Sequence, residues 1–419
     1  ACPKCQARMQ AEGLKTETEL HGYFIRRVEQ ILHKLGRKMI GWDEILDGGA
    51  STTATVMSWR GSKGGIKAAN QGNQAIMTPW DICYFDHYQG SKLFEPMAQS
   101  GFLPLEKVYN WEPISDEIEP EQRDKILGGQ ANLWAEYMPD YRQAEYMIYP
   151  RLLALSEVLW TTHYRDYQNF TERLIEAQKR LDYGDINYHI PLPEGPQAQY
   201  IEFIDIIQVE LTNTLNYDIY YTFDDTTWQK NNSSFLISHS SFLKSFTTFN
   251  GRNSDTIEVY YNKLSAPHPG AKGLSQNGLY RQRAYGYFHN TDSLDYVKFD
   301  VVDLVDSLVY DYNDTYFEPW IEVYQGYVKV DSTDSYLITT DLEELWVDDI
   351  RVINNNGELK RNQTKRAQMV LEEGFHSIKA VYNNCVNDGF PAHWRKPEIR
   401  IKSIEDKDFR LLKPKDFYR

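Results

Sequence analysis

The sequence predicts a chain in which an α/β block precedes a longer stretch of all-β structure. Residues 1 to about 188 alternate strand-like and helix-like patterns, whereas the residues after Pro193 form short alternating runs separated by turn residues. The chain of 419 residues also exceeds one ordinary hydrophobic core, so two or three domains are expected.

The first block opens with a helix and continues with strands that alternate with helices. Thr16 and Glu19 form a capping box, and apolar residues then recur at helical spacing until Gly36. Further helices are predicted over residues 141–160 and 165–182. Buried strands are predicted for four apolar runs: Lys38–Trp42, Ala54–Trp59, Gln74–Thr78 and Ile126–Trp134. Such alternation requires right-handed crossovers, so the strands should form a parallel sheet, either open or closed as a barrel.

Aromatic residues with polar neighbours gather where these strands end. The sequences concerned are Trp42-Asp-Glu44, Trp59-Arg60, Thr78-Pro-Trp80 and Trp134-Ala-Glu136. Ligand sites of α/β barrels lie at that rim. Between Trp80 and the fourth strand runs a connection of roughly forty residues, far beyond the usual two to six, which predicts a functional loop or a subdomain.

The rest of the chain predicts two β domains. Residues 196–264 alternate in the manner of a small antiparallel sandwich, and Ser265–Gly273 has the prolines and glycines of a linker. A further β domain is predicted over residues 277–405. Its clearest strands are Gly326–Val330, Ser335–Thr339, Glu344–Val347 and His376–Tyr382.

Composition and charge narrow the classes of function. A net charge of −15 and a pI near 5.2 repel phosphate backbones, so no nucleic-acid partner is expected. The four cysteines are too scattered for a disulfide framework, and Cys2-Pro-Lys-Cys5 lacks a second pair to complete a zinc site. No metal or cofactor is therefore predicted. No apolar run reaches transmembrane length.

The first block resembles family 20 glycoside hydrolases along nearly its whole length. Five motifs occur in the family's order: Gly41-Trp-Asp-Glu44, Ser58-Trp-Arg-Gly61, Tyr84-Phe-Asp86, Gly129-Gln-Ala-Asn-Leu-Trp-Ala-Glu136 and Tyr149-Pro-Arg-Leu-Leu-Ala-Leu-Ser-Glu157. In that family these motifs belong to strands five to eight of a (β/α)8 TIM barrel. The resemblance therefore implies that residues 1–190 form the C-terminal half of such a barrel.

The resemblance also implies a chemistry and a set of site residues. Family 20 enzymes remove terminal N-acetylglucosamine or N-acetylgalactosamine with retention, and the substrate's own acetamido oxygen is the nucleophile. Tyr84 matches the tyrosine whose hydroxyl donates to that oxygen. The tryptophans that wall the pocket are matched by Trp42, Trp59 and Trp134. Asp86 and Glu136 match carboxylates that accept hydrogen bonds from ring hydroxyls, while Trp111 lies too late to match a further pocket tryptophan.

The family's catalytic acid is not found in this sequence. Family members carry a protonated glutamate and an acetamide-orienting aspartate in a His-x-Gly-Gly-Asp-Glu motif after strand four, and no such motif occurs here. Asp43 and Glu44 follow a strand but belong to a separate family motif, and consecutive strand residues point to opposite faces. They are assigned rim or structural roles. An unrelated barrel glycosidase that uses Asp43 or Glu44 is the alternative.

We therefore expect the chain alone to be inactive. The first half of the barrel should come from the same polypeptide or from another chain, or the protein should self-associate to close the sheet, because half a barrel leaves unpaired strand edges. The expected partners are N-acetylhexosamine-terminated glycans or chitooligosaccharides, and the expected location is secreted, periplasmic or cell-surface. A non-catalytic carbohydrate-binding protein is the rival from another functional class.

The two β domains carry weaker resemblances. Residues 196–264 resemble the small β domain that follows the barrel in many chitobiases, through Asp218-Ile-Tyr-Tyr-Thr-Phe-Asp-Asp225. Residues 277–405 resemble a protective-antigen-type β-sandwich, through Gly278-Leu-Tyr280 and Leu345-Trp-Val-Asp-Asp349. The latter implies sugar binding or a spacer role. Calcium is not expected, because Thr340-Asp-Leu-Glu-Glu344 replaces the adjacent aspartates of calcium-binding members.

Overall fold

The computed structural model describes residues 2–161, 164–308, 319–356, 365–384 and 396–419. The chain divides into two compact units. We call Ala1–Gly90 with Ala98–His189 the α/β unit, and Ser91–Met97 with Ile190–Arg419 the β-rich unit.

The α/β unit holds helices and short strands in alternation. Its helices are α1 (Pro3–Glu12), α2 (Glu17–Lys34), α3 (Lys63–Asn70), α4 (Trp80–Cys83), α5 (Leu105–Tyr109), α6 (Tyr141–Ile148), α7 (Arg151–Trp160) and α8 (Tyr167–Tyr183). Its strands are β1 (Ile40–Trp42), β2 (Thr55–Ser58), β3 (Ala75–Met77), β4 (His87–Tyr88), β5 (Gln99–Phe102) and β6 (Ile126–Gly129). Two 3₁₀ helices cover Asp43–Leu46 and Pro120–Lys125.

The predicted parallel sheet is present. Strands pair in the order β1-β2-β3-β6, and all three pairings are parallel. Small and branched side chains, among them Ala54, Val56, Ala68 and Ala75, form a buried cluster beneath the sheet. Because parallel strands run the same way, their C-terminal ends lie along one edge.

Of the three helices predicted with bounds, the first and last agree with α2 and α8, and the middle one differs; α1 was not predicted. Thr16 caps α2 by accepting a hydrogen bond from the Glu19 amide at 3.1 Å. The single helix predicted over 141–160 is two helices, α6 and α7, which meet at Tyr149-Pro150. Proline has no N–H to donate and disfavours helical geometry in the residue before it, so the helix ends there.

The β-rich unit is built mainly from antiparallel pairs, with β7 paired in parallel to β14 and β21. Its strands as far as residue 285 are β7 (Tyr200–Phe203), β8 (Ile207–Val209), β9 (Asp218–Thr222), β10 (Gln229–Lys230), β11 (Phe235–Ile237), β12 (Ser241–Phe249), β13 (Arg252–Asn253), β14 (Ile257–Lys263) and β15 (Leu279–Tyr285). The later strands are β16 (Val301–Val305), β17 (Trp320–Val330), β18 (Asp334–Thr340), β19 (Glu344–Val347), β20 (Ile350–Asn354), β21 (Lys365–Leu371), β22 (Gly374–Asn383), β23 (Ile399–Ser403), β24 (Arg410–Leu411) and β25 (Phe417–Tyr418). The four strands singled out in the last domain all fall within β17, β18, β19 and β22.

Two large sheets organise this unit, and one of them crosses the predicted domain boundary. Its strand order is β10-β9-β12-β14-β7-β21-β18-β23-β24, and the other sheet runs β16-β15-β17-β22-β19-β20. A parallel pairing of β7 with β21 joins strands from both predicted β domains. Residues 196–264 and 277–405 therefore form one compact unit, because a backbone ladder links them.

The segment predicted as a linker is also docked. His268 pairs with Leu371 and Ala271 pairs with Phe375 through isolated bridges. A side chain on Gly270 would collide with the backbone of Glu373, so this glycine permits the close approach of two chain segments. Prolines and glycines here mark an ordered crossing rather than a free connection.

Candidate functional site

A pocket of about 470 Å³ lies in the α/β unit beyond the C-terminal ends of its parallel strands. All six residues singled out from the sequence line it, together with four others. The lining residues are Trp42, Glu44, Trp59, Trp80, Tyr84, Asp86, His87, Gln99, Trp134 and Glu136. The sequence motifs that were far apart along the chain are thus brought together at one edge of the sheet.

Aromatic rings form a continuous wall of the pocket. Trp59 stacks on Tyr84 with 6.4 Å between ring centroids and 18° between planes. Tyr84 also lies 6.2 Å from Trp134, and Trp134 lies 6.2 Å from Trp42. Such rings present flat apolar faces and exclude water from polar groups between them.

The carboxylate of Glu44 faces this wall but is already engaged. Both of its oxygens lie 3.0 Å from the indole Nε1 of Trp59, which donates to them. This bond fixes the plane of the Trp59 ring. Glu44 therefore has the contacts of a residue that orients a pocket wall.

Asp43, the neighbour of Glu44, links the ends of two strands through hydrogen bonds. It is 1% exposed, and its Oδ2 accepts hydrogen bonds at 3.2 Å from the backbone amides of Trp59 and Arg60. The Arg60 guanidinium donates to its other oxygen. These bonds tie the end of β1 to the end of β2, which favours the structural role among the rim or structural roles considered from the sequence.

The segment Tyr84–Asp86 is held by backbone bonds on both sides. The Phe85 amide donates to the Asn132 carbonyl at 2.7 Å, and the Asn132 amide donates to the Cys83 carbonyl at 2.8 Å. From the long connection, the Gln99 amide donates to the Asp86 carbonyl at 2.8 Å. These bonds place Tyr84 and Asp86 beside the strand that leads to Trp134.

Asp86 has the electrostatics of a ligand-binding carboxylate. It is 3% exposed, and its Oδ1 has no hydrogen-bond partner within the described ranges. Burial, together with the nearby charge of Glu136, raises the pKa of Asp86 to about 6. An unsatisfied buried acceptor is costly, and a ligand hydroxyl would satisfy it.

Tyr84 keeps its proton at neutral pH. Burial is the main cause that raises the pKa of its hydroxyl above the ordinary value, and the charges of Asp86 and Glu44 act in the same direction. The hydroxyl is therefore available as a donor. The Tyr84 ring lies beside the rings of Trp59 and Trp134 in the wall of the pocket.

Sequence reasoning did not assign Trp80, His87 and Gln99 to the pocket. Trp80 meets His87 edge to face at 5.7 Å, and a side chain on Gly101 would collide with the His87 ring. The position of Trp80 at a strand end was the available signal. Trp111 is buried and packs beside Gly129, outside the pocket.

Other features of the described ranges bear on cofactors and membranes. No group of three or more His, Cys, Asp or Glu side chains there could hold a metal ion. Cys2, Cys5 and Cys83 are free thiols, while Cys385 lies outside the described residues. No described helix is both long and apolar enough to cross a membrane.

Comparison with known proteins gives a match to a family model and similar relatives. Residues 1–163 match the family described as "Glycosyl hydrolase family 20, catalytic domain". A β-hexosaminidase of Porphyromonas gingivalis is 36% identical over 98% of this chain and 55% of its own length. A β-hexosaminidase of Vibrio furnissii is 38% identical over 37% of this chain and 26% of its own length.

Solved structures with similar segments include the family 20 exo-β-N-acetylglucosaminidase of Vibrio harveyi in complex with N-acetylglucosamine. It is 34% identical, with 45% of this chain and 30% of that chain covered and a TM-score of 0.41. The chain spans about half the length of the P. gingivalis relative and about a quarter of the V. furnissii relative. The sequence matches support a family 20 glycoside hydrolase domain over the first 163 residues of the chain.

Proposed function

We propose that this chain carries the sugar pocket of an exo-β-N-acetylhexosaminidase. The substrate class is glycans or chitooligosaccharides that end in N-acetylglucosamine or N-acetylgalactosamine. The observation that supports this most is one pocket of about 470 Å³ that gathers an aromatic wall, a protonated tyrosine and a buried carboxylate with an unpartnered oxygen. Such pockets suit a small amphipathic ligand with several hydroxyls.

In this proposal the reaction is retaining and assisted by the substrate. The acetamido oxygen attacks the anomeric carbon and forms a bicyclic oxazolinium, so no enzyme carboxylate is needed as nucleophile. Tyr84 donates to the acetamido oxygen as charge develops there. Trp42, Trp59 and Trp134 enclose the acetamide, exclude water and hold it near the anomeric carbon.

Asp86 and Glu136 bind ring hydroxyls. A hydroxyl that donates to Asp86 Oδ1 supplies the bond which that buried oxygen lacks in the described part of the chain. Glu136 is exposed at the rim and accepts from a second hydroxyl. The two carboxylates repel each other, and a ligand bridging them would relieve part of that repulsion.

The general acid has to come from outside these residues. Asp43 is bonded to backbone amides and to Arg60, and Glu44 is bonded to Trp59, so neither is placed to protonate a leaving group. We propose that a complementary half of a (β/α)8 barrel, on the same polypeptide or on another chain, supplies the acid and its neighbouring aspartate. Because such glycans lie outside the cytoplasm, we place the protein in the secreted, periplasmic or cell-surface space.

The test uses this chain together with the proposed complementary half, a combination that we call the full-length protein. We expect hydrolysis of 4-nitrophenyl N-acetyl-β-D-glucosaminide but not of the matching β-D-glucoside, which lacks the acetamido nucleophile. Proton NMR of the first product should show the β anomer. Comparable rates on both substrates, or an inverted first product, would contradict the substrate-assisted mechanism.

Two exposed tryptophans of the α/β unit give a matched pair of variants. Trp134 is 44% exposed and lines the pocket, whereas Trp160 is 87% exposed and does not. Trp134→Ala should lower kcat/KM strongly, because it removes a pocket wall, while Trp160→Ala should stay near wild type. Equal effects would mean that the pocket is not where the substrate binds.

A non-catalytic sugar-binding protein is the second candidate, and the engagement of Glu44 by Trp59 favours it for the chain taken alone. In that case the full-length protein would bind N-acetylglucosamine but would not hydrolyse either substrate.

A further inference from the structure

Arg151, the first residue of α7, is a buried cation close to the pocket that the proposed mechanism does not use. It is 0% exposed and does not line the pocket. Removing a guanidinium from water is costly unless its N–H groups find acceptors. The N–H groups of Arg151 must therefore find acceptors inside the protein.

The guanidinium donates to backbone carbonyls on three stretches of chain. Nη1 donates to the His87 carbonyl at 3.0 Å and to the Leu103 carbonyl at 3.1 Å. Nη2 donates to the carbonyls of Phe85 and Met147. The Arg151 Cζ also lies 5.0 Å from the centroid of the Phe85 ring. One side chain thus joins the Phe85–His87 stretch, Leu103 directly after β5, and α6.

Two of these carbonyls belong to the residues on either side of Asp86. The carbonyl of Phe85 precedes the Asp86 amide, and the carbonyl of His87 follows Asp86 in the chain. With both fixed, the backbone at Asp86 cannot turn without breaking bonds to a buried charge. The Arg151 charge also counteracts the burial and the Glu136 repulsion that disfavour the ionised carboxylate of Asp86.

We propose that Arg151 is a positioning residue for the pocket: its guanidinium clamps the peptide groups around Asp86 and so sets where the Asp86 carboxylate and the Tyr84 hydroxyl meet the ligand. This inference rests on the sugar-binding function proposed above. A fork of N–H donors is required, because an ammonium group cannot reach carbonyls on several segments with comparable geometry.

The test compares Arg151→Lys and Arg151→Met with the wild-type full-length protein. The matched control is Asn73→Ala in the same unit, because Asn73 is buried and also cross-links backbone carbonyls, those of Ser51 and Ala54, away from the pocket. Both Arg151 variants should lower kcat/KM by about 10²-fold, the loss that a small misplacement of catalytic groups can cause. Asn73→Ala should lower the thermal midpoint and leave kcat/KM near wild type.

The pH profile separates the charge of Arg151 from its geometry. Asp86 faces Glu136 and Arg151, so loss of the cation in Arg151→Met should move the acid limb of kcat/KM to higher pH. Arg151→Lys keeps the charge and should keep the limb near its wild-type position, with the rate still reduced. If Arg151→Met does not fold, the Lys variant decides the geometric claim.

Amide hydrogen exchange gives a readout that does not depend on turnover. The Gln99 amide is bonded to the Asp86 carbonyl, so it should exchange faster in Arg151→Lys and not in Asn73→Ala. Wild-type exchange at Gln99, with kcat/KM and affinity for N-acetylglucosamine also retained, would overturn the proposal. If the wild type fails to hydrolyse or bind the sugar, the proposed function fails, and the exchange at Gln99 alone then supports or overturns the clamp.

Discussion

Two buried aspartates of the α/β unit have opposite surroundings. Asp43, after β1, has both oxygens bonded to β2-end amides and to Arg60. Asp86, before β4, has an oxygen with no partner in the described part of the chain and a pKa raised to about 6. Burial alone therefore does not distinguish a structural carboxylate from a binding one, whereas the state of its acceptors does.

The same contrast separates the rest of the pocket. The carboxylate oxygens of Glu44 and Asp43 accept hydrogen bonds from Trp59, and these bonds hold the pocket wall in place. Tyr84 and Asp86 keep a donor and an acceptor for a ligand. In the proposed function, the region after β1 shapes the pocket wall, and the region around β4 supplies the groups that bind the substrate.

The largest effect expected from this contrast is a low hydrolysis rate of the chain alone, because neither Asp43 nor Glu44 serves as a general acid. If Asp43 and Glu44 only build the wall, the 419-residue chain by itself should hydrolyse 4-nitrophenyl N-acetyl-β-D-glucosaminide slower than the full-length protein by at least about 10²–10⁴-fold, the usual share of general-acid assistance. Steady-state assays of both proteins, with circular dichroism to verify folding, measure the ratio.

Turnover by the chain alone at the rate of the full-length protein would contradict the structural roles given to Asp43 and Glu44. Glu44→Gln would then be the first variant to make, because it removes the acid function and keeps an acceptor for the Trp59 indole. A loss of activity in that variant would favour the barrel glycosidase that uses its own Asp43-Glu44 pair.

The next effect concerns the donor that the pocket keeps. Tyr84→Phe should lower kcat more than it raises KM, by about 2.7–4 kcal/mol of transition-state stabilisation, because the hydroxyl matters most as charge develops on the acetamido oxygen. Tyr109→Phe is the matched control, since Tyr109 is a buried tyrosine whose hydroxyl donates to Glu157 at 2.8 Å outside the pocket. The two variants are compared by steady-state kinetics on the full-length protein, and equal losses would remove the special role of Tyr84.

Periodicity and motif order were enough to predict the parallel sheet and the six residues that meet in the pocket. Strand ends of a parallel sheet share one edge, so residues such as Trp59 and Trp134 had to approach each other once the strands were identified. Their roles toward a ligand remain proposals.

The pairing of strands that are far apart in the sequence could not be predicted from local sequence patterns. The parallel pairing of β7 with β21 brings together residues more than a hundred positions apart, and no turn or spacing signals it. The same holds for Trp80, His87 and Gln99, which line the pocket although no motif marked them. A side chain on Gly101 would collide with the His87 ring, a contact that the sequence does not reveal. For Arg151, the motif was visible while its bonds to distant carbonyls were not.

A third effect is that Asp86→Asn should stabilise the fold while it weakens binding. The pKa of Asp86 lies above its ordinary value, so the stability that this group contributes is present below pH 3.8 and is lost as the pH rises through about 6. A rise from 3.8 to about 6 corresponds to about 3 kcal/mol, which the neutral amide would not lose at pH 7.5.

Urea unfolding at pH 4 and pH 7.5 checks the stability change, and calorimetry with N-acetylglucosamine checks the binding. The amide should flatten the pH dependence and weaken binding by about 1.5–3 kcal/mol, the range for hydrogen bonds to charged groups. A variant that is less stable than wild type at pH 7.5 would place Asp86 with the structural carboxylates.

The smallest effect is expected for Asp43→Asn, which should lower the stability of the fold, whereas Asp86→Asn should raise it. Its oxygens accept from the amides of Trp59 and Arg60 and from the Arg60 guanidinium, so an amide group turns one acceptor into a donor that faces other donors. Gly64 packs directly against the carboxylate and leaves little room to adjust. We expect a loss of about 1–3 kcal/mol in the free energy of unfolding, and no more, because the Arg60 side chain is 43% exposed and water compensates part of its charge.

Urea unfolding at pH 7.5 measures the loss in the Asp43→Asn variant. Its kcat, measured well below the unfolding transition, should remain within a few-fold of wild type, since Asp43 supports Trp59 from behind the pocket. A large fall in kcat without a loss of stability would show that Asp43 acts on the substrate, and the distinction between the two aspartates would no longer hold.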